Sequence, residues 1–205
     1  KTKIILLSHQ VNITGQIFPV KDICDMAAAH DIEVLVDGAH SFCQFDFIQP
    51  EIGCNYFGTS LHKWLMAPKG TGMLYVKRDK IEKIWPLMAA RKEMNADIRK
   101  FEEIGTHSAA IPLATGEAVT YHNAIGGKRK EERLRYLKDY WAKRLVEHPK
   151  IRLHTSLKRH MSCAIGTVEI VGIDPDKLTE HLWNKHQIVV TPINHDEFKG
   201  IRITP

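Results

Sequence analysis

The sequence predicts an α/β protein: a mainly parallel sheet over residues 1–126, followed by a small α+β domain over residues 127–205. Three observations predict it. Apolar, strand-like runs alternate with a helix-period segment through the first half of the chain, the pattern of a sheet covered by helices. Polar groups collect directly after those runs, where open sheets place their ligand-binding loops. Gly126 and Gly127 then close one helical pattern and open another, which marks a change of domain.

Taken in order, "KIILLSH" reads as a buried strand. "PVKDICDMAAAH" opens with Pro19 and sets Ile23, Met26 and Ala27 at helical spacing, and "EVLVDGAH" is a second apolar strand ending in an acid, so the three form one βαβ unit. "CNYFGTSLHK" is a third, shorter strand running into a polar turn, and "GTGMLYVKR" is a fourth, bounded by glycines. From residue 105, "GTHSAAIPLATGEAVTYHNAIGG" reads as a helix. The next helix, "GGKRKEERLRYLKDYWAKRL", places Leu134, Leu137, Trp141 and Leu145 on one face and its charges on a solvated one. "CAIGTVEIVG", "DPDKLTEHLWNKHQ", "VVTPI" and "GIRIT" complete the chain as strand, helix, strand, strand, with Asp174 capping the helix and Pro175 at its first position.

Composition excludes several classes. A net charge of +5 permits an anionic ligand and, with acids interleaved in the densest basic run, does not call for nucleic acid. No apolar run reaches the length of a membrane span, and no small-residue cleavage site follows "KTKIILLSHQ", so neither a membrane nor secretion is expected. The four cysteines have no metal-ligand spacing and the twelve histidines no HExxH pattern, so no metal is expected, and reduced thiols in a cytoplasmic protein fit best. The chain enters a strand at once without a Met and stops just after another, and is expected to be part of a longer polypeptide.

Chemistry is expected from three loops: Ser8 to Asn12, Asp37 to His40 and Ser60 to Lys63. GxGxxG and GxxxxGK[ST] are absent, "PKGTGM" has its lysine before the glycines and a strand after them, and no GxSxG presents a nucleophile. An acid at the end of one strand and a lysine with a hydroxyl and an imidazole at the end of a later one suit pyridoxal phosphate. Lysine forms a Schiff base with the aldehyde, a carboxylate keeps a proton on the pyridine nitrogen, and hydroxyl and imidazole donate to the phosphate. Singly, Asp37 is equally a turn acid, His62 and His9 structural histidines and Arg202 a surface strand residue; the ordered set carries the cofactor reading.

The stretch "VLVDGAH", followed by "NYFGTSLHKWLMAPKGTGMLYV", resembles the cofactor region of class V aminotransferases, fold-type I pyridoxal phosphate enzymes, and is most similar to the isopenicillin N epimerase-like branch. "SHQVNITGQIFPVKDI", "FEEIGTHSAA" and "FKGIRITP" also sit where that family has counterparts, so the resemblance covers nearly the whole chain. It implies the large domain of that fold in part, with the small C-terminal domain after it. By position, Lys63 matches the Schiff-base lysine, Asp37 the partner of the pyridine nitrogen, and Ser60 and His62 phosphate ligands. His40 falls near the ring's phenolic oxygen, where cysteine desulfurases usually have Gln. Asn12 and Arg202 match positions that hold the substrate carboxylate, a task that suits the planar fork of arginine. Gly105 and Thr106 resemble the segment that reaches the phosphate of a neighbouring subunit, which implies a homodimer.

The family's N-terminal portion, with its phosphate cup and the aromatic or histidine stacked on the ring, has no counterpart before Lys1. The isolated 205 residues are therefore expected to bind cofactor poorly and the intact polypeptide well. The expected activity is transamination or epimerisation of an amino acid, which share their first proton transfer with β-elimination. A desulfurase needs a cysteine on a loop shortly before the carboxylate-binding arginine, and none lies between His181 and Arg202. The alternatives are a cysteine desulfurase or lyase-like enzyme using the same cofactor and, from another class, a non-catalytic piece acting in dimer assembly.

Overall fold

The computed structural model describes residues 1–205 and divides into two compact units. The first comprises residues 1–9, 19–42 and 47–124; the second comprises 10–18, 43–46 and 125–205.

In the first unit, β1 (Ile4–Ser8), β2 (Glu33–Asp37), β3 (Tyr56–Ser60) and β4 (Gly72–Val76) form a sheet in that order. β1, β2 and β3 run parallel, and β4 returns antiparallel to β3, so the mainly parallel sheet ends in a hairpin. Helix α1 (Val20–Ala28) is the crossover from β1 to β2 and turns Val20, Cys24 and Ala27 inward. Because strand side chains alternate between faces, Val34, Val36, Phe57 and Thr59 are buried on one side of the sheet. The other face carries Leu6, Leu35, Asp37, Tyr56, Gly58 and Ser60. Its lower end is covered where Tyr56 and Val76 pack with Ile81, Ile84 and Phe101, and its upper end, at the carboxyl ends of β2 and β3, is open. A short helix, α2 (Gln49–Ile52), leads into β3, and α3 (Ala110–Ile125) starts five residues after the glycine that begins the predicted helical stretch. Gly105 has a φ of 75° and the following residues are not helical.

In the second unit, α4 (Gly127–Leu145) precedes an antiparallel sheet in the order β5 (Ile151–Leu153), β6 (Gly166–Ile170), β8 (Lys199–Ile203), β7 (Thr191–Asn194), with α5 (Pro175–His186) between β6 and β7. Asp174 caps α5 by accepting from the backbone N–H groups of Asp176 and Lys177 at 3.1 Å. The strand β5 has no counterpart in the sequence reading: three residues are too few to show an alternation.

The predicted faces of α4 are corrected. Its buried residues are Lys130, Glu131, Lys138 and Ala142, while Leu145 is exposed and Leu134, Leu137 and Trp141 are half-buried. The charges are taken inward because each head group finds a partner. Glu131 accepts from Arg135 Nε at 2.7 Å and from the Asp46 N–H at 2.8 Å; Lys138 Nζ donates to Ser162 Oγ at 2.7 Å and pairs with Asp139 at 2.9 Å. Long stems lie along the apolar surface and the tips bond polar groups.

Candidate active site

Lys63 sits in the connection between β3 and β4, and the hairpin holds that connection tightly. The Leu61 N–H donates to the Thr71 carbonyl, the Ala67 N–H to the Leu61 carbonyl and the Met66 N–H to the Lys63 carbonyl, each at 3.1 Å. Leu61, Leu65 and Ala67 are buried and anchor the loop, leaving Lys63 half-buried at its rim. Thr71 closes the turn by donating to the Pro68 carbonyl from its N–H at 3.3 Å and its hydroxyl at 2.7 Å. Gly70 between them has a φ of 88°, the left-handed backbone that the third residue of a type II turn requires. The proline and glycines after Lys63 thus close a hairpin and form no phosphate loop.

A second turn brings His40 to that lysine. After β2 the Gly38 N–H donates to the Gly58 carbonyl at 2.8 Å, and the Gly38 carbonyl accepts from the Ser41 and Phe42 N–H groups and from Thr59 Oγ1. The chain can pass so close only without a side chain: a Cβ on Gly38 would lie 2.0 Å from Phe57 Cζ. The tight turn places His40 Nε2 3.2 Å from Lys63 Nζ. Asp37, one residue before the turn, is exposed at the strand end, and its carboxylate accepts from the Ala39 N–H at 2.8 Å.

Asp37 and Ser60 line a depression of about 280 Å³ on the open face of the sheet, with Leu6, Leu35, Ala39 and Gly58 as its other main walls. Gly58 is the register partner of Asp37, and a Cβ there would meet nothing within 4 Å, so the sheet surface beside the acid is clear. His62 is exposed just after β3, and Thr106 is exposed in the segment before α3. His9 is a buried residue of this unit: its ring stands edge-on to Phe47 with centroids 4.8 Å apart, and burial pushes its imidazole down to about 4, so it is neutral near pH 7.

Asn12 and Arg202 lie in the second unit and meet there. Arg202 on β8 stands opposite Thr167 of β6 and Thr191 of β7. Its Nη1 donates to the Asn12 carbonyl at 3.1 Å and its Nη2 to Thr191 Oγ1 at 3.3 Å, while its Nε is shielded from solvent and meets no acceptor in the protein. Asn12 takes part in this contact through its backbone. Beyond the expected residues, Thr191 braces the guanidinium, and Gly38 and Gly58 shape the acid's surroundings. Thr191 had a legible signal in its strand; the two glycines matter through cross-strand neighbours that the sequence does not display.

The four thiols are held in their protonated forms. Burial pushes Cys163 up to about 12 and Cys24 to about 11, and also raises Cys43 and Cys54. No group of His, Cys, Asp and Glu side chains is arranged to hold a metal ion, and no helix is long and apolar enough to cross a membrane.

Comparison with known proteins places the chain in a family. The aminotransferase class-V profile matches residues 1–192. Isopenicillin N epimerase of Streptomyces clavuligerus is 29% identical over 92% of this chain and 52% of its own length. A probable cysteine desulfurase of Halalkalibacterium halodurans is 32% identical over 85% of this chain and 44% of its own length. The chain spans about half the length of the curated relatives it matches. The solved structure of a cysteine desulfurase from Thermococcus onnurineus NA1 superimposes with a TM-score of 0.83 at 17% identity, over 98% of this chain and 55% of that one, which shows the shared α/β fold. The chain belongs to the class-V aminotransferase family.

Proposed function

We propose that this chain carries the lysine-bearing part of a pyridoxal 5'-phosphate site that acts on amino acids by transamination or epimerisation. The observation that carries the proposal is that the carboxyl ends of β2 and β3 set Asp37 and Ser60 on one depression, while the turns that follow them bring His40 and Lys63 to 3.2 Å from one another. The donor set fits the cofactor: an amine for its aldehyde, an exposed carboxylate beside a clear patch of sheet for its pyridine nitrogen, and hydroxyl and imidazole donors for its phosphate. Lys63 would hold it covalently, Asp37 would face the ring nitrogen, His40 the phenolic oxygen, and Ser60 and His62 the phosphate. Thr106 would reach the phosphate of a second copy in a homodimer. When bound, the cofactor supplies an electron-withdrawing ring that draws charge from the substrate's α-carbon.

The chain's own residues divide the remaining work. Lys63, on its braced hairpin, is the amine that takes the α-proton and returns it, and His40, in contact with Nζ, relays protons to and from that nitrogen. Asn12 and Arg202 hold the substrate carboxylate, which the unpartnered Nε–H of Arg202 favours. A cytoplasmic location suits four cysteines that form no disulfide. A cysteine desulfurase reaction is disfavoured: it requires a cysteine on a loop shortly before the carboxylate-binding arginine, and none lies between His181 and Arg202. A purely structural role in dimer assembly leaves the Lys63 and His40 pairing without a purpose.

The test is reduction with borohydride after incubating the encoded protein with pyridoxal phosphate, followed by peptide mass analysis. The expected product is a single cofactor adduct on Lys63, absent in Lys63→Ala. Incubation with candidate amino acids in deuterated water then separates α-proton exchange from transfer of the amino group to a 2-oxo acid. No adduct on Lys63 would refute the proposal, and adduct formation without α-proton exchange would refute the proposed reactions.

A further inference from the structure

The loop that carries Asn12 is held in an unusual way. Four consecutive carbonyls accept a hydrogen bond from a side chain: Asn12 from Arg202 Nη1 at 3.1 Å, Ile13 from Thr167 Oγ1, Thr14 from Thr155 Oγ1 at 2.6 Å, and Gly15 from Gln10 Nε2 at 3.1 Å. The donors are linked to one another. Thr155 Oγ1 also accepts from the Thr167 N–H at 2.8 Å, and Thr167 is the register partner of Arg202 across β6 and β8. Gln10 is fixed by a reciprocal amide pair with Gln44, at 3.0 and 2.6 Å, and Gln44 accepts in turn from the Ala164 N–H at 2.9 Å. Gly15 packs so closely that a Cβ would lie 2.2 Å from the Ile165 carbonyl oxygen. Thr155 and Thr167 are buried, and Thr167 has no exposed surface.

Backbone carbonyls in a turn are satisfied as well by water, so four side-chain donors, three of them buried, are more than folding this loop requires. Their common result is that Asn12 and Arg202 have fixed places relative to one another on one small sheet. An arginine side chain loses rotamer freedom when it is immobilised, and a clamp whose loss is met in folding binds more tightly than one that must order on contact.

We infer that Thr167 and Thr155 are positioning residues for the carboxylate clamp: they hold the Asn12 loop against the sheet so that Arg202 presents its free N–H groups in one orientation. The inference rests on the proposed role of Arg202 and Asn12 at the substrate carboxylate. It assigns to two buried threonines an effect on how carboxylate-bearing substrates bind, with no contact of their own to the substrate.

The experiment measures binding of L-alanine and of ethylamine, which lacks the carboxylate, to the encoded protein loaded with cofactor. The variants are Thr167→Val, Thr167→Ser, Thr155→Val, Thr155→Ser and Arg202→Ala. The side-chain Nε–H resonance of Arg202 is followed by nuclear magnetic resonance. Arg202→Ala is expected to weaken L-alanine on the order of a hundred-fold and leave ethylamine unchanged. Each valine variant is expected to weaken L-alanine on the order of ten-fold, leave ethylamine unchanged and broaden the Arg202 Nε–H signal, and each serine variant restores binding by returning the hydroxyl. If Arg202→Ala weakens L-alanine and the valine variants do not, the positioning role is overturned and the carboxylate reading stands. If Arg202→Ala has no effect, the carboxylate reading falls and the inference with it. Equal weakening of both ligands by the valine variants means general damage to the fold and overturns the inference. Should Thr167→Val not fold, the Thr155 pair decides by the same readings.

Discussion

Lys63 Nζ and His40 Nε2 lie 3.2 Å apart although 23 positions separate them in the chain. The contact is long enough to be a single hydrogen bond and short enough that the two groups cannot both be cationic without repulsion. The amine can donate to an Nε2 that carries no proton, or an Nε2–H can donate to the amine, so the contact gives a path for a proton at Nζ. His40→Ala is expected to slow addition of Lys63 to a small aldehyde by at least about ten-fold near neutral pH, because proton transfer at Nζ loses its partner. Borohydride trapping with mass analysis of the Lys63 peptide gives the rate. An unchanged rate would mean that His40 only shapes the turn.

Gly38→Ala isolates the turn itself. With Phe57 fully buried and the added Cβ only 2.0 Å from its ring, neither side can give way without moving β2 or β3. A loss of roughly 2–3 kcal/mol is expected, read as a lower urea midpoint. Formation of the Lys63 adduct should fall in parallel, because the turn sets the position of His40. Wild-type stability in this variant would show that the ring is free to swing away.

What the sequence made legible follows from range. β1 to β4, α1 and α5 were readable because their signals are local: alternation, helical spacing, an Asp-Pro start, a glycine-bounded strand. Lys63 and Asp37 were readable as the polar ends of apolar runs. Features that rest on long-range partners were hidden. The burial of Lys130, Glu131 and Lys138 depends on partners such as Ser162 and Asp46 that no periodicity announces. The membership of residues 10–18 in the second unit depends on bonds such as Thr167 to Ile13, which spans 154 positions. A contiguous boundary at residue 126 has no means of expressing that exchange.

His9 gives a prediction for pH. Its imidazole titrates at about 4 in the folded chain against about 6.5 when unfolded, so between those values the unfolded chain binds the extra proton. Its contribution to stability is fully present above about pH 6.5 and is lost as pH falls toward 4, with a total near 3 kcal/mol from the difference in affinity. His9→Phe, which keeps an aromatic edge toward Phe47, is expected to flatten the fall of unfolding free energy across that window while carboxylate titrations remain. Urea unfolding at intervals from pH 7 to 4 measures it. Parallel curves for the two proteins would contradict a buried neutral His9.

Lys138 tests whether a buried cation on α4 stabilises the second unit through charge or through its stem. Nζ is held by Ser162 Oγ at 2.7 Å and Asp139 at 2.9 Å, with the side chain 3% exposed. Removing one member of a buried pair leaves the other charge unsatisfied, but Asp139 is 29% exposed and also meets Lys143 at 3.1 Å, so most of that penalty is relieved. Lys138→Met keeps the stem and removes the charge, and a loss of about 1 kcal/mol is expected. Lys138→Ala also removes the stem that lies beside Gly166 and Trp141, and should lose about 2 kcal/mol more. Urea midpoints of the two variants against the wild type separate the contributions. A methionine variant more stable than the wild type would mean that desolvating the ammonium outweighs both of its bonds, and that the lysine is kept for something other than stability.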